Sequence, residues 1–129
     1  MRLLLDTNIL VAIVENRTQL LDSRLHEAVS DSDNELSASV ASLWEIAIKV
    51  RLRKLPLHVP LSALPELFAG AGLRLLSIEA GHVLVEVAPL PNTRDPFGRL
   101  LLAQCLVENL RLVTTDRVLT AHPLSWRPG

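Results

Sequence analysis

The chain has 129 residues, 49% of them hydrophobic, so a single domain with a substantial core is expected over residues 1–129. Thirteen Lys and Arg residues against fourteen Asp and Glu give a formal net charge of -1, which excludes an overall basic field that would attract nucleic acid. The single Cys105 excludes an internal disulfide, and no apolar run reaches the ~20 residues that a transmembrane helix needs. We therefore expect a soluble, cytoplasmic protein.

The first half of the chain alternates predicted strands and helices. In chain order they are a strand at 2–6 (RLLLD), helices at 8–17 and 18–30, a strand at 35–39 (ELSAS) and an amphipathic helix at 40–54. The short apolar strand that ends in an acid is typical of a buried parallel strand. Pro56 closes the amphipathic helix, whose last turns are basic.

The second half continues the alternation. Its predicted elements are a helix at 61–73, a strand at 73–78, a helix at 79–91, a helix that Asp95 opens and that runs to 109, a strand at 110–114 and a weak strand near 123–126. Strands that alternate with helices indicate an α/β fold, in which a parallel sheet is covered on both faces.

Four acidic residues stand where the predicted elements meet one edge of this sheet. Asp6 follows the first strand and Asp116 follows the strand at 110–114, and functional groups of open α/β sheets lie at the carboxyl ends of the strands. Glu45 lies in the helix after the second strand, and Asp95 opens the helix before the late strand. We therefore expect the four carboxylates to converge.

The chemistry of such a group favours a bound cation. Clustered carboxylates repel one another unless they share protons or bind a metal. Oxygen ligands at a shallow edge suit Mg²⁺ or Mn²⁺, which retain waters and accept phosphate oxygens. Such an ion can generate hydroxide and stabilise the charge of an in-line phosphodiester displacement. The residues alone therefore favour a metal-dependent nuclease.

Each acid also has a purely structural interpretation. Asp6 and Asp95 could cap the helices that follow them, and Asp116 could form an Asx turn. Glu45 could pair with Lys49 four residues later, or close a capping box with the serine three residues before it. Only the joint placement of the four acids favours a functional site.

Basic residues near the acids could bind RNA phosphates while the acids hold the metal. The candidates are Lys49, Arg51, Arg53, Lys54, Arg94, Arg99 and Arg117. A solubilising helix end is an equally good interpretation of those that close the amphipathic helix. With no Tyr and two Phe, the chain poorly supplies a stacking platform for single-stranded bases.

Four segments together resemble the PIN-domain toxins of the VapC type, in order and across nearly the whole chain. They are LLLDTNIL, SLWEIAIKVRLRKL, RDPFGRLLLAQC and LRLVTTD. The resemblance implies a three-layer α/β/α fold and a Mg²⁺- or Mn²⁺-dependent endoribonuclease. It also implies a toxin that a cognate VapB-like antitoxin silences, and a homodimer that pairs with this antitoxin.

The resemblance assigns a role to each matching residue. Asp6 matches the first acid of the family and would ligate the metal. Glu45 matches the helix acid and Asp116 the acid after the late strand, and both would contribute hydrogen bonds to the site or ligate the metal through bridging water. Thr7 and Asn8 would orient Asp6 and the local turn.

Position 98 departs from the pattern of the family. The related pattern reads D-P-F-D, and this chain has Asp95 and then Gly98 at its two acidic positions. Three explanations stay open: the glycine marks a weakened or purely binding relative, it is an engineered change that makes a toxic protein expressible, or Asp95 takes over as ligand. Thr115, beside the last acid, completes the set of residues that would shape the site.

Two other functions compete with the ribonuclease. One is a catalytically inactive module that binds antitoxin or RNA, and the absence of an acid at Gly98 favours it. The other is a metal-dependent hydrolase of small phosphorylated substrates, although the sequence contains no compact phosphate-binding loop. Cleavage of RNA separates the first from a ribonuclease, and a small-phosphate assay tests the second.

Overall fold

The computed structural model describes residues 1–128 and shows one parallel sheet between helices. The strands are β1 (Arg2–Leu5), β2 (Glu35–Ser39), β3 (Arg74–Leu76) and β4 (Arg111–Val113), in the order β3-β2-β1-β4. The α-helices are α1 (Thr7–Val14), α2 (Ser23–Ser30), α3 (Val40–Arg51), α4 (Leu64–Gly70), α5 (Ala80–Leu84), α6 (Pro96–Glu108) and α7 (Arg117–Thr120). Within residues 1–128, no helix is both long and apolar enough to cross a membrane.

Two apolar cores separate the sheet from its two helical layers. Leu3 and Leu5 of β1 point into one core, which α1, α4 and the middle of α3 complete, and Leu4 points into the other, which α6 and α7 complete. Side chains of a strand alternate between faces, so a run of three buried leucines fits a strand that is covered on both sides. The predicted three-layer α/β/α fold is confirmed.

The register of the strands brings their carboxyl ends to one edge. Leu5 of β1 pairs with Val113 of β4, and the Asp6 backbone N–H extends this ladder by donating to the Val113 carbonyl at 2.9 Å. On the other side of β1, Leu4 pairs with Ser37 of β2. The chain then leaves β1, β2 and β4 at the same side of the sheet.

Most predicted helices are shorter in the structure, and two differ most. The prediction of one helix at 18–30 is wrong, because Asp22 accepts a hydrogen bond from the Arg24 backbone N–H at 2.8 Å and begins α2 after a separate 3-10 helix at Thr18–Leu20. The predicted helix at 79–91 ends at Leu84, since Val85 adopts an extended backbone conformation. In both places the apolar residues keep a spacing that is compatible with a helix, although the backbone is no longer helical.

The C-terminal region also differs from its prediction. The weak strand near 123–126 is reduced to a single parallel bridge between Leu112 and Ser125. The segment after β4, predicted as a turn, contains the short helix α7. The Asp116 side chain begins α7 by accepting hydrogen bonds from the backbone N–H groups of Val118 and Leu119, which explains why a turn signal here starts a helix.

Candidate active site

Asp6 stands at the end of β1 and is buried. It is the N-cap of α1: Oδ1 accepts a hydrogen bond from the Thr7 backbone N–H at 2.7 Å. Oδ2 accepts one from the Thr114 hydroxyl at 2.5 Å. Both carboxylate oxygens are therefore oriented by the protein, one by the helix that follows β1 and the other by the segment that follows β4.

Glu45 is buried on α3 and faces the first turn of α1. Its Oε1 lies 2.7 Å from the Thr7 hydroxyl, and its Oε2 lies 2.6 Å from Lys49 Nζ. The Ser42 hydroxyl lies 3.0 Å from the same Thr7 oxygen. Of the two structural interpretations, the pair with Lys49 is present, whereas the capping box with Ser42 is wrong because Ser39 caps α3.

Asp116 is exposed at the start of α7, and Thr114 connects it to Asp6. The Asp116 backbone N–H donates to the Thr114 hydroxyl oxygen at 3.0 Å, and that hydroxyl donates its own proton to Asp6. The Asp116 carboxylate caps α7 through Oδ1, at 2.8 Å from the Val118 nitrogen. Asp116 therefore caps α7 and still stands at the carboxyl edge of the sheet.

The electrostatics of Asp6 show that the three acids share one environment. Burial raises the pKa of the Asp6 carboxyl, and the negative charges of Glu45 and Asp116 raise it further. The hydrogen bonds from Thr114 and Thr7 act in the opposite direction and lower this pKa, but burial and the two negative charges together outweigh them. Glu45 and Asp116 thus each lie within electrostatic range of Asp6 at the carboxyl edge of the sheet.

Asp95 and Gly98 lie at the start of α6, next to α7. Asp95 is exposed and caps α6, with Oδ1 accepting from the Phe97 backbone N–H at 3.1 Å. Gly98 is buried, and a Cβ atom placed on it would lie 3.6 Å from Asp95 Oδ2 and 3.2 and 3.3 Å from the two methyl carbons of Leu119. Position 98 therefore lies between the Asp95 carboxylate and the helix that Asp116 begins.

The basic candidates divide into engaged and exposed side chains. Lys49 is held by Glu45, and Arg99 Nε donates to the Thr93 carbonyl at 2.6 Å, which fixes the loop before α6. The remaining candidates, Arg51, Arg53, Lys54, Arg94 and Arg117, are exposed. Arg53 lies beyond the end of α3 with a φ of 56°, so the predicted helix to Lys54 ends earlier than expected.

The residues expected to shape the site contribute unequally. Thr7 is buried, but its side chain contacts Glu45 and only its backbone N–H contacts Asp6. Asn8 and Thr115 are exposed, and within residues 1–128 neither side chain hydrogen bonds to an acid of the site. Sequence reasoning missed Thr114, whose signal was a hydroxyl residue directly after the apolar core of β4.

The acids present form an incomplete ligand set for a divalent cation. Asp6, Glu45 and Asp116 offer the hard oxygen donors that Mg²⁺ or Mn²⁺ requires. Across residues 1–128, however, no three His, Cys, Asp or Glu side chains are close enough together to hold one ion. Lys49 occupies one Glu45 oxygen, and Gly98 offers no donor where the D-P-F-D pattern has an acid. The site thus supplies negative charge but lacks a complete set of ligands.

The parallel sheet between two helical layers, with three acids at its carboxyl edge, defines an α/β/α domain with an acidic edge site. The family model described as "PIN domain" matches residues 3–123, and the chain therefore belongs to the PIN domain family. Members of this family are generally nucleases that use divalent metals, so the fold is of nuclease type. No curated protein matches the chain.

Proposed function

We propose that this chain is a toxin of the VapC type, the ribonuclease component of a type II toxin-antitoxin system, with cleavage weakened by Gly98. The observation that carries the proposal is the buried Asp6 carboxylate, whose pKa is raised by burial and by the charges of Glu45 and Asp116. Acids held together against their repulsion are typical of functional sites. The reaction is hydrolysis of a phosphodiester bond in RNA.

Mg²⁺ or Mn²⁺ is the proposed cofactor, with Asp6 as its main ligand and with Glu45, Asp116 and Asp95 around it. Such an ion supplies an activated water and charge stabilisation when bound. The protein side chains hold this arrangement: Thr7 orients Glu45, and Thr114 orients Asp6. Lys49 neutralises part of the negative charge through its 2.6 Å contact with Glu45.

Gly98 is the proposed cause of weak activity. The Cβ direction of Gly98 passes within 3.6 Å of Asp95 Oδ2, so an aspartate here would add a carboxylate beside Asp95 and close to α7. Asp95 is a poor substitute, because its Oδ1 is bound to the first turn of its own helix. Glycine in the first helical turn costs at most about 1 kcal/mol relative to alanine, which is compatible with an intact fold.

The RNA and protein partners follow from the same proposal. Arg51, Arg94 and Arg117 are exposed cations that can bind phosphates, and Arg99 keeps a charged guanidinium near α6 although its Nε is engaged. A VapB-like antitoxin and a second copy of the chain are the proposed protein partners. The exposed Trp44, at 60% relative accessibility, is a suitable apolar contact for such an interface.

A catalytically inactive module that binds antitoxin or RNA is the second candidate. It is favoured by the incomplete ligand set in residues 1–128 together with the glycine at position 98. This module would keep the fold and the surface of a nuclease without its reaction. The two candidates differ only in whether the three acids still support cleavage.

Cleavage of a mixed RNA pool by the unmodified chain and by Gly98→Asp, with Mg²⁺ or Mn²⁺, tests the proposal. We expect weak or no cleavage by the chain as it stands, strong cleavage by Gly98→Asp, and loss of that cleavage in EDTA. Gly81→Asp is the matched control, since Gly81 also lies in a helix and a Cβ there meets nothing within 4 Å. If folded Gly98→Asp does not cleave, the inactive module is the better interpretation. Robust cleavage by the unmodified chain that Asp95→Ala abolishes would assign the ligand role to Asp95.

A further inference from the structure

A pocket of about 480 Å³ opens beside the acidic edge, and none of the proposed metal ligands lines it. Four segments form its walls: residues 20–25 before and within α2, Thr114 and Thr115 after β4, Thr120 of α7, and residues 126–128 near the C-terminus. Its volume lies within the range of about 300–1,000 Å³ that is typical of small-molecule sites. The pocket is therefore large enough for a planar organic group.

Thr114 joins this pocket directly to the candidate active site. The same residue lines the pocket and donates its hydroxyl proton to Asp6 Oδ2 at 2.5 Å. The pocket and the buried carboxylate are thus separated by one side chain. An RNA strand bound at the acidic edge therefore lies next to the pocket.

We infer that this pocket binds one base of the RNA strand next to the phosphodiester that is cleaved. The inference rests on the proposed ribonuclease function, which it deepens by assigning a base-binding subsite. The few aromatic residues of the chain argue against a platform on which several bases stack, but a single indole is enough to stack on one base.

The lining has the chemistry that a base and its phosphate require. Leu21, Leu25 and the half-buried indole of Trp126 provide apolar surface against which a flat ring can lie. The exposed Thr115 hydroxyl can donate to or accept from the polar edge of the base. Arg24 stands at the rim, 66% exposed at its side chain and only loosely paired with an acid 3.8 Å away, so it can turn to a phosphate.

A second groove of about 480 Å³, between α3, α5 and α6, is a less suitable base site. Trp44, Val83 and Leu90 line it, and no Ser or Thr is among its lining residues in the part of the chain that the structure describes. It also lacks the contact with Asp6 that Thr114 gives the first pocket. The two tryptophans of the chain thus line different grooves. Trp126 also lines a groove of about 360 Å³ beside the N-terminus, and Leu20, which lines the proposed pocket but not that groove, separates the two.

Tryptophan fluorescence distinguishes the two grooves. Trp44→Phe leaves Trp126 as the reporter in the pocket, and Trp126→Phe leaves Trp44 as the matched control. Each variant is titrated in EDTA with uridine monophosphate, with adenosine monophosphate and with ribose phosphate, which has no base. We expect saturable quenching of Trp126 by at least one nucleotide, none by ribose phosphate, and no saturable change of Trp44.

A third protein tests the location without altering the core. Leu20 lines the rim and is 74% exposed, so Leu20→Asp in the Trp44→Phe background leaves packing intact. Its carboxylate repels the phosphate, and we expect the nucleotide affinity to fall about fivefold. The inference is overturned if neither nucleotide quenches Trp126, if Trp44 responds instead, or if Leu20→Asp binds as well as its parent. Because EDTA prevents metal-dependent cleavage, this binding result is independent of whether Gly98→Asp cuts RNA.

Discussion

Replacing the buried acid of the site is expected to stabilise the protein. In Asp6→Asn, the side-chain carbonyl can still accept from the Thr7 N–H, so the cap of α1 is retained. The buried charge, which burial and the charges of Glu45 and Asp116 make unfavourable, is removed. We therefore expect a higher free energy of unfolding near neutral pH, together with loss of any cleavage.

The expected gain is the difference between two opposing contributions. The hydrogen bond from Thr114 to a charged oxygen is worth about 1.5–3 kcal/mol, and a neutral amide that donates to the same hydroxyl oxygen returns about 1 kcal/mol of it. The pKa of Asp6 is nevertheless raised, so burial and repulsion outweigh these hydrogen bonds in the folded protein. We therefore expect a net gain, and for a domain of this size each 1 kcal/mol of that gain would raise Tm by about 3–6 °C.

The pH dependence gives the prediction a definite sign. The pKa of Asp6 is higher in the folded than in the unfolded protein, so protonation of Asp6 favours the folded state. This contribution to stability is fully present below the unfolded pKa and is lost as the pH rises through the folded pKa. The advantage of Asp6→Asn should thus be largest near neutral pH and disappear in acid.

Thermal unfolding in EDTA, followed at several pH values, measures this advantage. Asp22→Asn is the matched control, because Asp22 is an exposed N-cap whose replacement removes no buried charge. A lower Tm of Asp6→Asn near neutral pH, or a gain equal to that of the control at every pH, would refute the reasoning.

Three further predictions concern single positions. Gly98→Asp should lower Tm in EDTA by a few degrees, because the added Cβ crowds a buried leucine and the added charge increases the repulsion at the acidic edge. Mg²⁺ should restore Tm by binding the folded protein, and equal melting with and without Mg²⁺ would contradict this prediction. Burial raises the pKa of the Cys105 thiol to about 12, so a disulfide reagent near pH 8 should modify Cys105 only in denaturant; rapid modification of the folded chain would show that the thiol is accessible. Thr7→Val leaves the buried Glu45 without its hydroxyl partner and should cost about 1.5–3 kcal/mol in a denaturant titration.

The sequence predicts the sheet better than the helices around it. Apolar runs that end in a polar residue identify β1 and β4, because a parallel strand that is covered on both sides is apolar on both faces. The strands β2, which contains two buried serines, and β3, which is largely exposed, were predicted from their position between helices instead. The break at Asp22 and the early end of α5 at Leu84 depend on local capping and on packing against other elements. Hydrophobic spacing is compatible with a longer helix in both places, so it cannot locate these ends.

The arrangement of the site follows from topology only in part. The strand order places Asp6 and Asp116 at one edge, as parallel strands require. The Thr114 hydroxyl binds a residue that is 108 positions away in the chain, and the Thr7 hydroxyl binds one that is 38 positions away. Such contacts between distant segments leave no local pattern in the sequence. Sequence reasoning could therefore name acids at the edge but not the hydroxyl groups that orient them.

The electrostatics of Asp6 bear on the choice between a nuclease and an inactive module. A module that only binds a partner would have no use for a buried carboxylate that two neighbouring charges disfavour, whereas a cation would relieve that repulsion. Leu119, which is buried, approaches position 98 only with its methyl groups, and these must shift by a few tenths of an ångström to admit a Cβ, whereas no backbone atom has to move. The surroundings of position 98 thus present no rigid barrier to an acid. The charges of Glu45 and Asp116 still disfavour the Asp6 carboxylate, as expected of acids that are placed to hold a metal. Restored cleavage by Gly98→Asp, together with a stability gain in Asp6→Asn, would mean that Gly98 removes a function for which the rest of the site is still arranged.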